Sequence, residues 1–205
     1  VADLYANFEA LRKANVYQTD YNIRFGMRNS KITFFAIHGG GIEAGSSELA
    51  IYSAGTEHSY YCFEGFKASN NTDLHITSTN FDEPNGLAVV SQGHYLVSYH
   101  GYSSSTKNTK IGGLDLALKK LIQNELIAAG YTCEIEPDDS SITGQEPDNI
   151  VNIGRRGMGV QLEISTAQRN AFFGTNTRAQ RMATINDEFK NYVACVMRAL
   201  DKYVQ

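Results

Sequence analysis

Two histidines and a glutamate stand where short apolar runs give way to glycine. In "FFAIHGGGIEAGSSELA" the run from Ile32 to Ile37 ends in His38, three glycines follow, and then comes Glu43. In "HYLVSYHGY" the run from Tyr95 to Tyr99 ends in His100, with Gly101 after it. Ligands of open α/β sheets bind outside the carboxyl ends of the strands. Glycine admits the positive φ of a tight turn, so Glu43 can return toward His38. Two imidazoles and one carboxylate hold catalytic Zn²⁺ while leaving a fourth position for a water that the metal activates. Taken singly, each histidine reads equally as a hydrogen-bonded strand end and Glu43 as a surface carboxylate; the three together point to metal. Glu48, inside an expected helix, is the lower-ranked alternative for the carboxylate ligand.

A second carboxylate needs a task. In "NIGRRGMGVQLEIS" the alternation of a strand puts Val160, Leu162 and Ile164 on one face and Gln161 and Glu163 on the other. If that face looks into the metal site, Glu163 is a candidate general base, taking a proton from metal-activated water and passing it to the leaving amine; otherwise it is a partly exposed strand carboxylate. Arg155 and Arg156 precede it closely enough to offer a guanidinium to a substrate carboxylate, or to be solvated loop residues. The "HGGG" string suits the oxyanion loop of serine esterases, but no GxSxG nucleophile elbow exists in the chain. The glycines also lack the Gly-Lys-Ser/Thr ending of a phosphate loop.

These residues need strands to carry them. Apolar or β-branched runs recur at "KITFFAI", "SYYCF", "LHITS", "HYLVSYH", "YTCEIE", "DNIVNI" and "MGVQLEIS". A helix is expected from about 113 to 129, with Leu114, Leu118, Leu121 and Ile122 on one face and Gly130 ending it. A longer one is expected near 178 to 203, with Met182, Ile185, Phe189, Val193, Val196 and Leu200 at three- and four-residue steps. A short one begins after Ser46 or Ser47 as cap. The fold expected is α/β, a single domain over 1–205 with a central mixed sheet flanked by helices. The polar stretches "KASNNTD", "FDEPNG", "GYSSSTKNTKIGG" and "PDDSSITGQEPD" read as surface loops.

Composition narrows the class. A chain of 205 residues, 42% hydrophobic and 20% charged, can bury one sizeable core. Cys62, Cys133 and Cys195 are odd in number and widely spaced, which indicates neither a disulfide framework nor a cysteine metal site. The start, with Asp3 and Glu9 and no unbroken apolar core, reads as neither signal peptide nor membrane span, so a cytoplasmic chain is expected. No nucleic-acid or membrane partner is expected, and the chain is expected to be monomeric. The net charge is -4, yet residues 150–205 hold 8 basic and 4 acidic side chains, which suits an anionic partner as well as an ordinary helical surface.

In their order along the chain, "AIHGGGIEAGSSELA", "SYHGY" and "GVQLEIS" resemble the poly-γ-glutamate hydrolases of bacteriophages, which are similar in fold to zinc carboxypeptidases. The resemblance runs from about Tyr21 to Ala199. It implies a one-zinc peptidase cleaving the γ-glutamyl amide bonds of capsular poly-γ-glutamate. The residues that match the metal ligands are His38, Glu43 and His100, and Glu163 matches the catalytic carboxylate. In the ordinary carboxypeptidases two residues separate the first histidine and glutamate, whereas Gly39, Gly40, Gly41 and Ile42 intervene here. Their Asn and Arg pair against a substrate carboxylate suggests Asn152 beside Arg155 and Arg156. Synthesis in the host cytoplasm and action outside after lysis are also what the resemblance implies. A zinc amidase on cell-wall peptide links and a non-catalytic capsule-binding module are the competing readings; only an enzyme gives Glu163 a task.

Overall fold

The computed structural model describes residues 3–137, 140 and 142–204. Its centre is one sheet of seven strands: β1 (Tyr21–Gly26), β2 (Ile32–Gly40), β3 (Ser59–Gly65), β4 (Tyr95–Tyr102), β5 (Thr109–Gly112), β6 (Cys133–Ile135) and β7 (Val160–Ser165). They lie in the order β1-β3-β2-β4-β7-β5-β6. The four central strands, β3, β2, β4 and β7, are parallel, β1 is antiparallel to β3 and β5 to β7, and β6 runs parallel to β5. The mixed α/β sheet expected from the strand runs is therefore the architecture found. All of β2 and β7 is buried, as parallel strands covered on both faces must be.

Alternation divides the core. Phe34, Ala36, Val97, Tyr99, Leu162 and Ile164 pack beneath three helices: α2 (Ser46–Ala54), α4 (Leu116–Ala128) and α6 (Asp187–Tyr203). Phe35, Ile37, Tyr61, Phe63 and Leu96 meet α1 (Phe8–Ala14) and α3 (Pro84–Gln92) on the other face. A short α5 (Thr166–Ala171) follows β7 directly. Among the described residues no helix is long and apolar enough to cross a membrane.

Several expectations shift. Helix α4 is capped by the Asp115 carboxylate and closed by Gly130 at φ +86°, but Leu114 stands outside it and is exposed. Helix α6 begins nine residues later than the apolar steps suggested. Asn186 caps it through the Phe189 amide, so Met182 lies in a preceding 3₁₀ turn and Ile185 just ahead of the cap. Neither Ser46 nor Ser47 caps α2; Gly45 does, at φ +101°. "LHITS" and "DNIVNI" are not strands, since 3₁₀ turns occupy Asn71–Leu74 and Ile150–Asn152. β5 emerges from the end of the stretch "GYSSSTKNTKIGG", and part of "PDDSSITGQEPD" lies outside the described residues.

Candidate metal centre

His38 and His100 reach the same point by different routes. On β4, Leu96 faces the α3 side of the sheet, so His100, an even number of residues later, shares that face. Strict alternation on β2 would send His38 the other way, beneath α2 with Phe34 and Ala36. The pairing of β2 with β3 slips by one residue between Ala36 and Gly39. Such a bulge re-aims a side chain, so Ile37 and His38 both turn to the face that carries Ile76, and His38 Nε2 meets the Ile76 carbonyl at 2.8 Å.

The loop then brings Glu43 back. The Glu43 amide donates to the His38 carbonyl at 2.8 Å, and Gly40 turns the chain at φ +65°. The two serines hold this loop rather than the helix: Ser46 Oγ donates to the carbonyls of Glu43 and His38, and Ser47 Oγ accepts from the Gly40 amide. A side chain at Gly39 would place its Cβ 2.0 Å from Ser47 Oγ. Glu43 Oε1 ends 3.1 Å from His38 Nδ1, and Oε2 ends 3.6 Å from His100 Nδ1 while accepting the Gly101 amide at 2.8 Å. The two Nδ1 atoms are 3.1 Å apart.

Three ligand-type atoms thus converge in a buried place, and the protonation of the groups reflects it. Burial pushes the His38 imidazole down, but the Glu43 charge and its hydrogen bond outweigh this and hold it above the ordinary value. Burial alone would raise the Glu43 carboxyl, yet the His38 charge and hydrogen bonds from both histidines keep it well below the usual carboxylate range. The site favours positive charge at its centre. With Nε2 committed to a backbone carbonyl, His38 presents Nδ1, the outer-sphere arrangement that orients metal-ligating histidines.

A third histidine stands nearby. His38, Glu43 and His75 also have ligand atoms within 4.8 Å of one another. The His75 ring stacks on His38 at 3.9 Å and 26°, and its Nδ1 lies 2.7 Å from Asp3 Oδ1. His100 instead brings its Nδ1 within 3.1 Å of His38 Nδ1, so His100 and His75 both stand beside His38 and Glu43 as candidate third ligands. The "LHITS" segment of His75 read as a strand, which concealed this placement.

Glu163 pairs in register with His100 on the neighbouring strand and lines a cavity of ≈ 540 Å³ with His38, Glu43, His75, His100 and Gln161. Burial pushes its carboxyl up, with His100 opposing and Glu43 adding to the shift. Gln161 Nε2 donates to its Oε1 at 2.9 Å, and Asn149 Nδ2 donates to Gln161 Oε1 at 3.2 Å. Glu48 is not at this centre: it lies in α2, paired with Arg181 at 2.9 Å.

The expected substrate residues are not brought here. Arg155 is exposed at the opposite end of the sheet, its amide bonded to the Gly93 carbonyl and its Nε to the Gln92 carbonyl. Arg156 sits at that same end, 2.7 Å from Asp115 and facing the rings of Tyr95 and Tyr203. Asn152 is buried; its Nδ2 donates to the carbonyls of Gly144 and Glu146, two residues of the cavity wall, so it supports the wall rather than meeting a ligand. The guanidinium that does border the centre is Arg169, on α5, which adjacency in sequence to the other two arginines could not indicate. Its one signal was membership of the cationic last quarter.

Comparison with known proteins places the chain in a family. The family model for poly-gamma-glutamate hydrolase matches residues 5–195. The SPbeta prophage-derived protein YoqZ of Bacillus subtilis (strain 168) is 42% identical over 203 residues, covering 99% of this chain and 73% of the relative. A solved bacteriophage poly-gamma-glutamate hydrolase superposes with a TM-score of 0.93 at 39% identity, covering 99% of each chain. YndL in a zinc-free apo form does so with 0.94 at 36% identity, covering 100% of both. By its sequence match over nearly its whole length and its superposition on a solved member, the chain belongs to the poly-γ-glutamate hydrolase family and is an enzyme.

Proposed function

We propose that the chain is a zinc-dependent hydrolase of the γ-glutamyl amide bonds of poly-γ-glutamate, with His38, Glu43 and His100 holding one zinc and Glu163 as general base. The observation that carries this is the convergence of two imidazole Nδ1 atoms and a carboxylate within 3.1 to 3.6 Å, beside a buried glutamate in the same cavity. The donor set fits the metal: two nitrogens and one carboxylate leave a coordination position open. That the relative YndL is described in a zinc-free form supports zinc as the ion. Zinc in such a site polarises the scissile carbonyl and makes water a better acid.

The remaining work falls to the chain. Glu163, its carboxyl pushed up by burial, is suited to take a proton from the attacking water and return it to the departing amine nitrogen. Gln161 occupies Oε1 and so holds the carboxylate in one rotamer, with Oε2 left for the proton. The Glu43 hydrogen bond from the Gly101 amide keeps the carboxylate aimed at the histidines. Since every residue named stands on or beside one continuous sheet, residues 1–205 act as one catalytic unit in this reading.

Elemental analysis run beside cleavage of poly-γ-glutamate, before and after chelation, tests it. About one zinc per chain and chelator-sensitive cleavage are expected. Metal-free protein with full activity would refute the zinc reading, and cleavage of cell-wall peptide but not of the polymer would transfer the chemistry to another amide.

A further inference from the structure

Arg169 is buried, and among the described residues no carboxylate stands within ion-pair distance of it. Its Nε donates to the Ile164 carbonyl at 3.0 Å, Nη1 to the Ala44 carbonyl at 2.7 Å, and Nη2 to Thr166 Oγ1 at 3.4 Å. All three partners are neutral. The other buried guanidinium, Arg181, is matched to Glu48 at 2.9 Å. Glu43 and Glu163 act on it only from beyond ion-pair distance; a buried charge without a direct counter-charge is costly, and a guanidinium has five N–H donors. One N–H on each Nη of Arg169 is therefore left for an anion.

The place where it waits is specific. Arg169 lines a cavity of ≈ 340 Å³ with Ile42, Glu43, Gly101, Tyr102 and Thr166. This cavity shares Glu43, His75, Gly101 and Tyr102 with the larger one that holds Glu163, so the two flank the same centre. The guanidinium lies against Gly101, next to His100; a Cβ on Gly101 would stand 2.4 Å from its Cζ. No lysine or other arginine lines either cavity among the described residues, and the larger one carries Glu43, Glu146 and Glu163.

We propose that Arg169 binds the α-carboxylate of the residue on the leaving side of the scissile bond, and thereby selects γ-linked over α-linked glutamate. The proposal rests on the hydrolase reading above. In a γ-linked chain the scissile nitrogen is attached to the carbon that also bears a free carboxylate, so an anion sits two bonds from the leaving atom. In an α-linked chain that carbon, at every linkage but the last, continues as a neutral amide and the charge lies at the end of the side chain. The acyl-side α-carboxylate of a γ-linked chain is also farther from the reacting carbonyl. A cation packed beside the metal ligands meets the leaving-side carboxylate, and bidentate geometry suits guanidinium to it.

The test uses a γ-linked oligoglutamate, the same oligomer with α-carboxamides in place of α-carboxylates, and an α-linked oligoglutamate. Cleavage is measured with wild type, Arg169→Gln and Arg169→Lys, alongside zinc content, thermal unfolding and calorimetric binding of the γ-linked oligomer. Wild type is expected to prefer the carboxylate over the carboxamide by about 10- to 150-fold in kcat/KM, the range of a lost hydrogen bond to a charged group. Arg169→Gln is expected to cleave both at the carboxamide level, mainly through KM, with zinc retained and Arg169→Lys intermediate. Equal cleavage of both oligomers by wild type overturns the proposal, as does a Gln variant that still discriminates. If the variants do not fold, the wild-type comparison decides alone. Arg169-dependent binding without any cleavage would keep the carboxylate site and refute the hydrolase reading; neither binding nor cleavage would refute both.

Discussion

The two ends of the sheet hold charged residues in opposite ways. At the end where β4 and β7 begin, Arg156 bonds to Asp115 at 2.7 Å and to the Tyr203 hydroxyl at 2.6 Å, and the rings of Tyr95 and Tyr203 pack edge to face beside its guanidinium. Asp115 in turn caps α4 through the Leu118 amide. The Arg156 and Asp115 charges satisfy each other. At the end where the same strands finish, Glu163 is buried with its carboxyl pushed up, and among the described residues His100 Nε2 has no hydrogen-bond partner and Arg169 hydrogen-bonds only to neutral groups. Charges are paired directly at the first end, whereas the second gathers ligand-type groups around a cavity. Arginines that read alike in sequence therefore divide: Arg156 is tied into an ion pair at one end, Arg155 lies exposed beside it, and Arg169 borders the candidate centre at the other.

Substitutions at the two ends should separate stability from chemistry. The largest effect is expected from Glu163→Gln, which removes the base but keeps the shape: turnover should fall by about 10²- to 10⁴-fold with zinc content unchanged. If zinc is lost instead, Glu163 is a ligand, and the site must be redrawn. His38→Ala or His100→Ala should each lose most of the bound zinc, since a three-ligand site rarely survives the loss of one, together with the rise in melting temperature that zinc gives wild type. Zinc retained in both variants would leave the ligand set without support.

At the opposite end, Arg156→Ala leaves Asp115 without its ion pair and should cost about 1 to 3 kcal/mol in a denaturant titration. Its zinc content and kcat should stay at wild-type values; a fall in kcat with stability intact would erase the contrast between the ends. The smallest effect belongs to Arg155→Ala, an exposed side chain held only by Gln92. A change within about 0.5 kcal/mol and unaltered KM are expected, and a raised KM would return this residue to the substrate.

The ligand candidates were legible because their signal is local. A strand ending in His-Gly, and a glutamate after three glycines, are patterns of neighbouring residues, and the structure brings His38, Glu43 and His100 together. The alternation that gave Glu163 a separate face from Leu162 is likewise local, and Leu162 is in the helix-covered core as that alternation requires. The start of α6 was misplaced because apolar spacing continues through Met182 and Ile185, while the boundary is set by the Asn186 cap.

What the sequence determined by itself was the set of strand ends, the turn that returns Glu43 and the two faces of β7, all of which follow from backbone periodicity and glycine's freedom within a few residues. Only the tertiary structure decided which face His38 takes, because a one-residue slip between β2 and β3 reverses the alternation. It likewise decided which arginine borders the centre. Arg155 and Arg156 precede β7 and Arg169 follows it, and strand direction alone places the first two at one end and the third at the other. Distance along the chain carries no information about that, since a parallel strand separates its two ends by the whole depth of the sheet.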